Sequence, residues 1–267
     1  MTRLASWQDY GTHDESAYPE LWRGCVGAWA PCLGPTGLRL HDLSRYRNWG
    51  TLTNMDAATD WVVSGGRYAL DLDGENDRVT ARPITYQRLT LTSCCWVKPN
   101  SVSGVQMLVS HYGAEGNRAW YLALINNAVR ILVSPDGTTI PFGQGGTVST
   151  EWTHLACVVT PTQFLIYVNG IPVTTTLTGT FPSQIFNSTA DLMIGGREAI
   201  DMPFNGLVDD VLLYNRVLSP AEHRLLATRR GIAYERRKRR SVFFNAAFFN
   251  PVWARNSNVI LSPVGAA

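Results

Sequence analysis

Much of what would mark a membrane protein or a common enzyme is missing from this sequence. Charged residues occupy only 16% of the 267 positions, against 45% hydrophobic. Yet no apolar run reaches the roughly 20 residues needed to cross a bilayer as a helix. The first nineteen residues carry Asp9, Asp14 and Glu15 and no apolar core segment, so they do not read as a secretory leader. The resulting expectation is synthesis in a host cytoplasm, with the chain staying in that cell unless lysis or another route exports it. Cys25, Cys32, Cys94, Cys95 and Cys157 are odd in number, and their spacing matches no zinc site. They read as reduced, buried small residues, as a reducing compartment would leave them; nothing in the sequence supports a Cys25–Cys32 pairing.

Catalytic signatures are equally scarce. There is no G-x-S-x-G elbow. His13, His41, His111, His154 and His223 lack metal-type spacing, and His154 reads as a strand histidine in the core. There is also no βαβ rhythm. What the chain does have, from Cys25 to Arg216, is a succession of short β-type runs separated by turn formers, the pattern of a sandwich or barrel. Runs such as Leu89–Val97, His154–Val159, Phe164–Asn169, Pro172–Thr176 and Leu207–Tyr214 alternate with Ser64-Gly65-Gly66, Asn126-Asn127, Asn169-Gly170 and Asn205-Gly206, turn formers suited to tight hairpins. Alternation places Leu89, Leu91, Cys95 and Val97 on one face, and likewise Phe164, Ile166 and Val168. It also places Asp209 on the apolar side with Leu207, Val211 and Leu213. The helix signal is confined to Ser219-Pro220-Ala221-Glu222, a capping box with Pro at the first helical position, predicting a helix from Pro220 to about Arg229.

Read in order, several pieces resemble the laminin-G-like jelly-roll group of the concanavalin A-like lectin/glucanase superfamily. They are Gly24–Trp29, the "D-x-S-x-x-x-N-x-G-x-L" stretch Asp42–Leu52, the hairpin Tyr68–Val79, the "T-x-x-x-W-V" strand ending at Val97, Trp152–Ala156, Ile166–Gly170, and Phe204–Glu222. The resemblance covers residues 22–228 and implies an all-β, two-sheet antiparallel jelly-roll sandwich with one short C-terminal helix. Residues 1–21 form a lead-in and residues 231–267 an extended arm. Trp22-Arg23-Gly24 and Gly50–Asp56 further resemble proteins of tailed bacteriophages, which implies a virion component. Glucanases of the superfamily carry an "E-x-D-x-x-E" run on one strand; none exists here, so the chain is read as non-enzymatic.

Three sets of residues are candidates for function. Asp73, Asn76, Asp77, Asp209 and Asp210 are hard oxygen donors that suit calcium, and superfamily members often hold calcium near the sandwich rim; the same carboxylates equally suit backbone N–H groups in turns. Trp120 and Tyr121, beside the Gly113–Asn117 turn, are the best placed aromatics for stacking on glycans, although most of the nine tryptophans serve simply as core. The third set is the basic run Arg236, Arg237, Lys238, Arg239 and Arg240 with Phe243, Phe244, Phe248, Phe249 and Trp253 behind it. Exposed Phe pairs are costly, so this arm is read as docking on other virion proteins or on copies of the chain, rather than on nucleic acid. The reading is a structural virion protein, in capsid decoration, tail or fibre, displaying a sandwich that adheres to glycans. The alternatives are a free carbohydrate-binding lectin and a hydrolase with an unrecognised site.

Overall fold

The computed structural model describes residues 16–199 and 201–237. Two antiparallel sheets enclose the main core. The eight-stranded sheet runs β14 (Ile171–Val173), β13 (Gln163–Val168), β12 (Thr153–Thr160), β7 (Leu91–Pro99), β17 (Asn205–Tyr214), β5 (Arg67–Asp73) and β4 (Trp61–Ser64), with β1 (Cys25–Trp29) also paired to β17. The nine-stranded sheet runs β15 (Thr175–Thr178), β11 (Phe142–Gly145), β10 (Ala128–Val133), β9 (Arg118–Ile125), β8 (Val105–Tyr112), β16 (Leu192–Ile194), β6 (Arg78–Ala81), β3 (Gly50–Thr53) and β2 (Arg39–Leu40). The jelly-roll sandwich implied by the sequence is the fold.

Alternate residues of both sheets fill the space between them. Leu91, Cys95, Val97, Phe164 and Ile166 of the first sheet meet Leu108, Leu122, Leu124, Val129 and Ile131 of the second. A second apolar cluster lies on the outer face of the eight-stranded sheet, where Cys94, Val158, Leu212 and Tyr214 are covered by Leu21, Leu33, Leu226, Ile232 and Tyr234. Adjacent Cys94 and Cys95 thus serve opposite faces, and all five cysteines are free and buried. Among the described residues no helix is long and apolar enough to cross a membrane.

Local chemistry realises most of the turns. Gly65 and Gly66 join β4 to β5 with φ of 59° and 76°, and Asn169 and Gly170 join β13 to β14 with φ of 51° and 74°, the doubly positive geometry of a two-residue hairpin. Helix α1 (Pro220–Leu226) begins on the predicted capping box, with Glu222 N–H donating to the Ser219 hydroxyl and Ser219 N–H to the Glu222 carboxylate. It ends before Arg229. An Arg216–Glu222 ion pair at 2.6 Å braces its first turn.

Four expectations are corrected. Asn205-Gly206 is not a turn but the start of β17; Gly206 is required because a Cβ there would meet the Lys98 carbonyl at 2.4 Å. Pro172–Thr176 is not one strand, because the chain leaves one sheet after Val173 and joins the other at Thr175. Asp209 does not share a face with Val211 and Leu213. A bulge between Asp209 and Leu212 shifts the register, so Val208 faces the main core while Asp209 turns the other way, toward Cys32. Finally, the sandwich does not stop near residue 230, since Ile232, Ala233 and Tyr234 are buried against it.

Three histidines are walled in. His154 packs edge-on to Trp96 and is lowered to about 3 by burial and by His223. His223 stacks on Tyr167 at 3.8 Å and is lowered, chiefly by burial, to about 4; burial does the same to His111. The unfolded chain, with ordinary values of 6.5, binds protons that these folded rings refuse. Each ring therefore adds stability that is full above pH 6.5 and declines as pH falls toward the folded value. Imidazole NMR signals of His111, His154 and His223 are expected to stay fixed between about pH 8 and pH 5; a midpoint near the ordinary value of about 6.5 for any of them would show that ring to be open to solvent.

Candidate functional site

The site begins with one buried carboxylate. Asp42, 2% exposed, accepts from Ala28 N–H and Ser44 N–H through Oδ1, and from the Ser44 hydroxyl and Asn48 N–H through Oδ2, each at 2.8 Å. Four donors compensate the charge for its loss of water. Asn48 carries the connection onward. Its carbonyl accepts from Trp29 Nε1 at 2.9 Å, and its side chain donates to the Arg82 carbonyl at 2.9 Å and accepts from Arg82 N–H at 3.1 Å. Gly50 completes the motif because a Cβ there would meet Val79 Cγ1 at 2.3 Å. The stretch Asp42–Leu52 is thus a clasp that fixes the loop after β2 against β1 and against the crossover segment, residues 82–90, leading from β6 to β7.

Between that loop and that crossover lies a cavity of about 560 Å³, with Tyr46 and Asn48 on one wall and Arg82, Ile84, Tyr86 and Arg88 on the other. Tyr214 and Asn215 contribute to its lining, so the end of β17 forms part of it. Tyr86 is anchored from beneath. Its hydroxyl accepts from Trp120 Nε1 at 2.6 Å and shares a 3.0 Å hydrogen bond with His111 Nδ1, and its N–H donates to Asn187 Oδ1 at 2.6 Å. Burial pushes the Tyr86 hydroxyl well up, so it remains protonated. Tyr46, half exposed, is held by Arg45, whose guanidinium lies over its ring at 5.0 Å. Among the described residues no Asp or Glu lines the cavity.

The residues singled out in the sequence fall elsewhere. Trp120 and Tyr121 are not an exposed pair, with exposures of 0% and 6%. They sit on β9, flanked on both sides by β8 and β10, so Trp120 fills the main core while Tyr121 joins a small cluster with Met107 and Tyr112 on the other face. Trp120 still touches the site, as the hydrogen-bonded support of Tyr86.

The five calcium candidates do not form one site. Asn205 pairs with Asp73, which leaves Asp209 four positions further along β17. In the hairpin, Asp73 Oδ1 accepts from the N–H groups of Glu75, Asn76 and Asp77, and Asp77 Oδ2 accepts from Asp73 N–H. Burial, with the charges of Asp73, Asp60 and Asp71, raises Asp77 to about 6. Asp209 and Asp210 instead meet Cys32, their ligand-type atoms all within 4.8 Å. There Asp209 accepts from Cys32 N–H at 2.8 Å and faces Arg230 at 3.3 Å, while the Cys32 thiol donates to Asp210 at 3.0 Å and Gly231 N–H donates to the same carboxylate. Burial pushes the thiol well up and, with mutual repulsion, raises Asp209. In this structure the carboxylates are met by protein N–H groups and the thiol, and Arg230 supplies the positive charge.

Of the basic run, Arg236 pairs in a bridge with Ser16, and Arg237 Nε donates to the Ser16 carbonyl at 3.1 Å. Lys238, Arg239, Arg240, Phe243, Phe244, Phe248, Phe249 and Trp253 lie outside the described residues.

Sequence reading missed the cavity residues Tyr46, Arg82, Ile84, Tyr86 and Arg88. The crossover has no periodicity to draw attention, and its one legible signal is a pair of arginines bracketing Tyr86 in a part of the chain that is otherwise mildly acidic.

Two measurements test this arrangement. Tyr86→Phe leaves Trp120 Nε1 without its acceptor and is expected to lower stability by about 1–3 kcal/mol, read by urea unfolding; an unchanged midpoint would show the anchor to be idle. With the hairpin carboxylates already engaged by backbone N–H groups, added calcium is expected to leave the melting temperature within about 1 °C, and a rise abolished by Asp73→Asn would establish an ion there instead.

Comparison with known proteins agrees with this architecture. A laminin G family profile, described as Concanavalin A-like lectin/glucanases superfamily, matches residues 73–222, more than half the chain. Sequence comparison with curated proteins gives no match. Among solved structures, the chain is similar to botulinum neurotoxin type C, whose passage into cells depends on interaction with two ganglioside molecules (11% identity, TM-score 0.57, covering 79% of this chain and 52% of that one). It is also similar to the binding domain of botulinum neurotoxin DC in complex with rat synaptotagmin II (11%, 0.54, 78% and 52%) and to the serotype D binding domain (10%, 0.59, 78% and 52%). The chain spans about half the length of the structures it matches, and at this identity the likeness speaks for the fold alone. With the profile match and the two-sheet sandwich in agreement, the chain belongs to the concanavalin A-like lectin/glucanases superfamily.

Proposed function

We propose that this chain is a non-enzymatic binding protein that takes up a saccharide in the cavity between the Asp42–Leu52 clasp and the 82–90 crossover. The observation that carries the reading is the lining of that cavity. Tyr46, Ile84 and Tyr86 offer apolar surface, hydrogen-bonding groups lie beside them, and among the described residues no carboxylate lines the cavity. Glycoside hydrolysis uses two carboxyl groups roughly 5–10 Å apart; this cavity has none, which favours binding without turnover. Its volume of about 560 Å³ falls in the range of small-molecule sites, roughly 300–1,000 Å³. Two structural relatives are binding domains, which supports the class of function and nothing finer.

The finer reading places the sandwich on a virion, held by the basic and aromatic segment 238–267. Its support is the sequence resemblance of the Trp22–Gly24 and Gly50–Asp56 stretches and the unbalanced charge and aromatic content of that segment. Residues 231–237 belong to the sandwich, so the attachment role is confined to residues 238–267. A free lectin is the competing reading.

Both levels can be tested on the full-length chain. It is expected to bind immobilised saccharides and to lose at least about tenfold in affinity on Tyr46→Ala; failure to bind any saccharide overturns the proposal. Deleting residues 238–267 is expected to leave saccharide binding intact and to abolish incorporation into particles, whereas normal incorporation would remove the arm from the reading and favour the free lectin.

A further inference from the structure

The cavity has a charge signature that the general saccharide reading does not use. Among the described residues its ionised side chains are both arginines, Arg82 and Arg88, and no Asp or Glu shares the lining. Both are exposed, and among the described residues neither guanidinium is in an ion pair, in contrast to Arg216, Arg229 and Arg230, each of which faces a carboxylate. The wall opposite carries Tyr46, flanked in sequence by Arg45 and Arg47. Asp42, the acid nearest to Tyr46 in sequence, is buried with its oxygens already accepting four hydrogen bonds. Among the described residues, therefore, no carboxylate on the cavity lining cancels the positive charge.

Geometry separates the two arginines from a random surface pair. Arg82 has its backbone fixed on both sides by Asn48. Arg88 stands at the other end of the same crossover, and between them Tyr86 is anchored by Trp120, His111 and Asn187. The crossover thus brings Arg82, Tyr86 and Arg88 to one cavity in a short span, with the Arg82 backbone and Tyr86 fixed in place. Planar guanidinium forks match carboxylate and sulfate oxygens, and aromatic and aliphatic walls suit the C–H face of a sugar ring.

We infer that the cavity selects anionic saccharides, those bearing a carboxylate or sulfate, with Arg82 and Arg88 holding the acidic group against Tyr86 and Ile84. This rests on the saccharide-binding reading and sharpens its substrate class.

The experiment compares matched probes on the full-length chain by calorimetry: sialyllactose, a galacturonic acid oligomer and a sulfated disaccharide against lactose. At least one acidic probe is expected to bind about tenfold or more tighter than lactose, with affinity falling as salt is raised. Arg82→Gln and Arg88→Gln are each expected to remove most of that preference, weakening the acidic probes severalfold more than lactose, and the lysine variants to retain part of it. Because both side chains are exposed, these variants are expected to fold, which an unchanged melting temperature verifies. Equal binding of lactose and the acidic probes, or acidic binding untouched in the Arg82→Gln, Arg88→Gln double variant, overturns this inference while the saccharide reading stands. Binding of no probe at all overturns both. Binding of the acidic probes that survives Tyr46→Ala and is equalled by inorganic sulfate would show anion capture without a sugar site, and also overturns it.

Discussion

The arrangement of this protein depends on how one strand changes neighbours. In its first half β17 pairs with β5, and in its second half with β1, while β7 stays beside it throughout. The exchange happens at Asp209 and Asp210, where the register slips and Asp210 adopts a φ of +46°. Two adjacent buried carboxylates cost several kcal/mol each if bare. Here they are met by N–H groups from Cys32, Asp210 and Gly231, by a thiol and by a guanidinium. The same bonds tie together three places far apart in sequence. Because desolvation offsets most of the attraction, the cluster is better understood as fixing which segments meet than as a large source of stability.

The cavity inherits its walls from that junction. β1 takes its place along β17, and Asp42 then fastens the following loop to β1 through Ala28. Asn48 fastens the crossover to the loop. Two kinds of arginine result. Arg230 is buried, neutralised by Asp209 and laid over Trp152 at 4.0 Å, and is part of the framework. Arg82 and Arg88 stand at the surface, and among the described residues no carboxylate shares their cavity. The same residue type builds the scaffold in one place and sets the field of an opening in another, and burial separates the two roles.

The sequence made the sandwich legible because its signals are local and repeated: alternation in β7 and β13, doubly positive turns at Gly65-Gly66 and Asn169-Gly170, and a complete capping box at Ser219. The clasp was visible as a pattern but not as a mechanism, since Asp42 and Asn48 act on residues 14 to 34 positions away. What failed to show were features that depend on which strands lie next to one another. Trp120 beside a turn looks exposed until β8 and β10 cover it. A strict alternation places Asp209 in the main core, and one extra residue in a bulge reverses that. The cavity was hidden for a different reason. Its crossover carries no periodic pattern, and the value of Arg82 and Arg88 lies in the absence of acids around them, which is a property of space rather than of order along the chain.

The two ends of the described fold lie side by side. Ala17 N–H donates to the Glu235 carbonyl, the Ser16 hydroxyl donates to the Ala233 carbonyl, and Trp22 Nε1 donates to the same carbonyl at 3.0 Å. A tension applied at residue 16 and resisted at residue 237 therefore passes through this short zipper before it reaches either sheet.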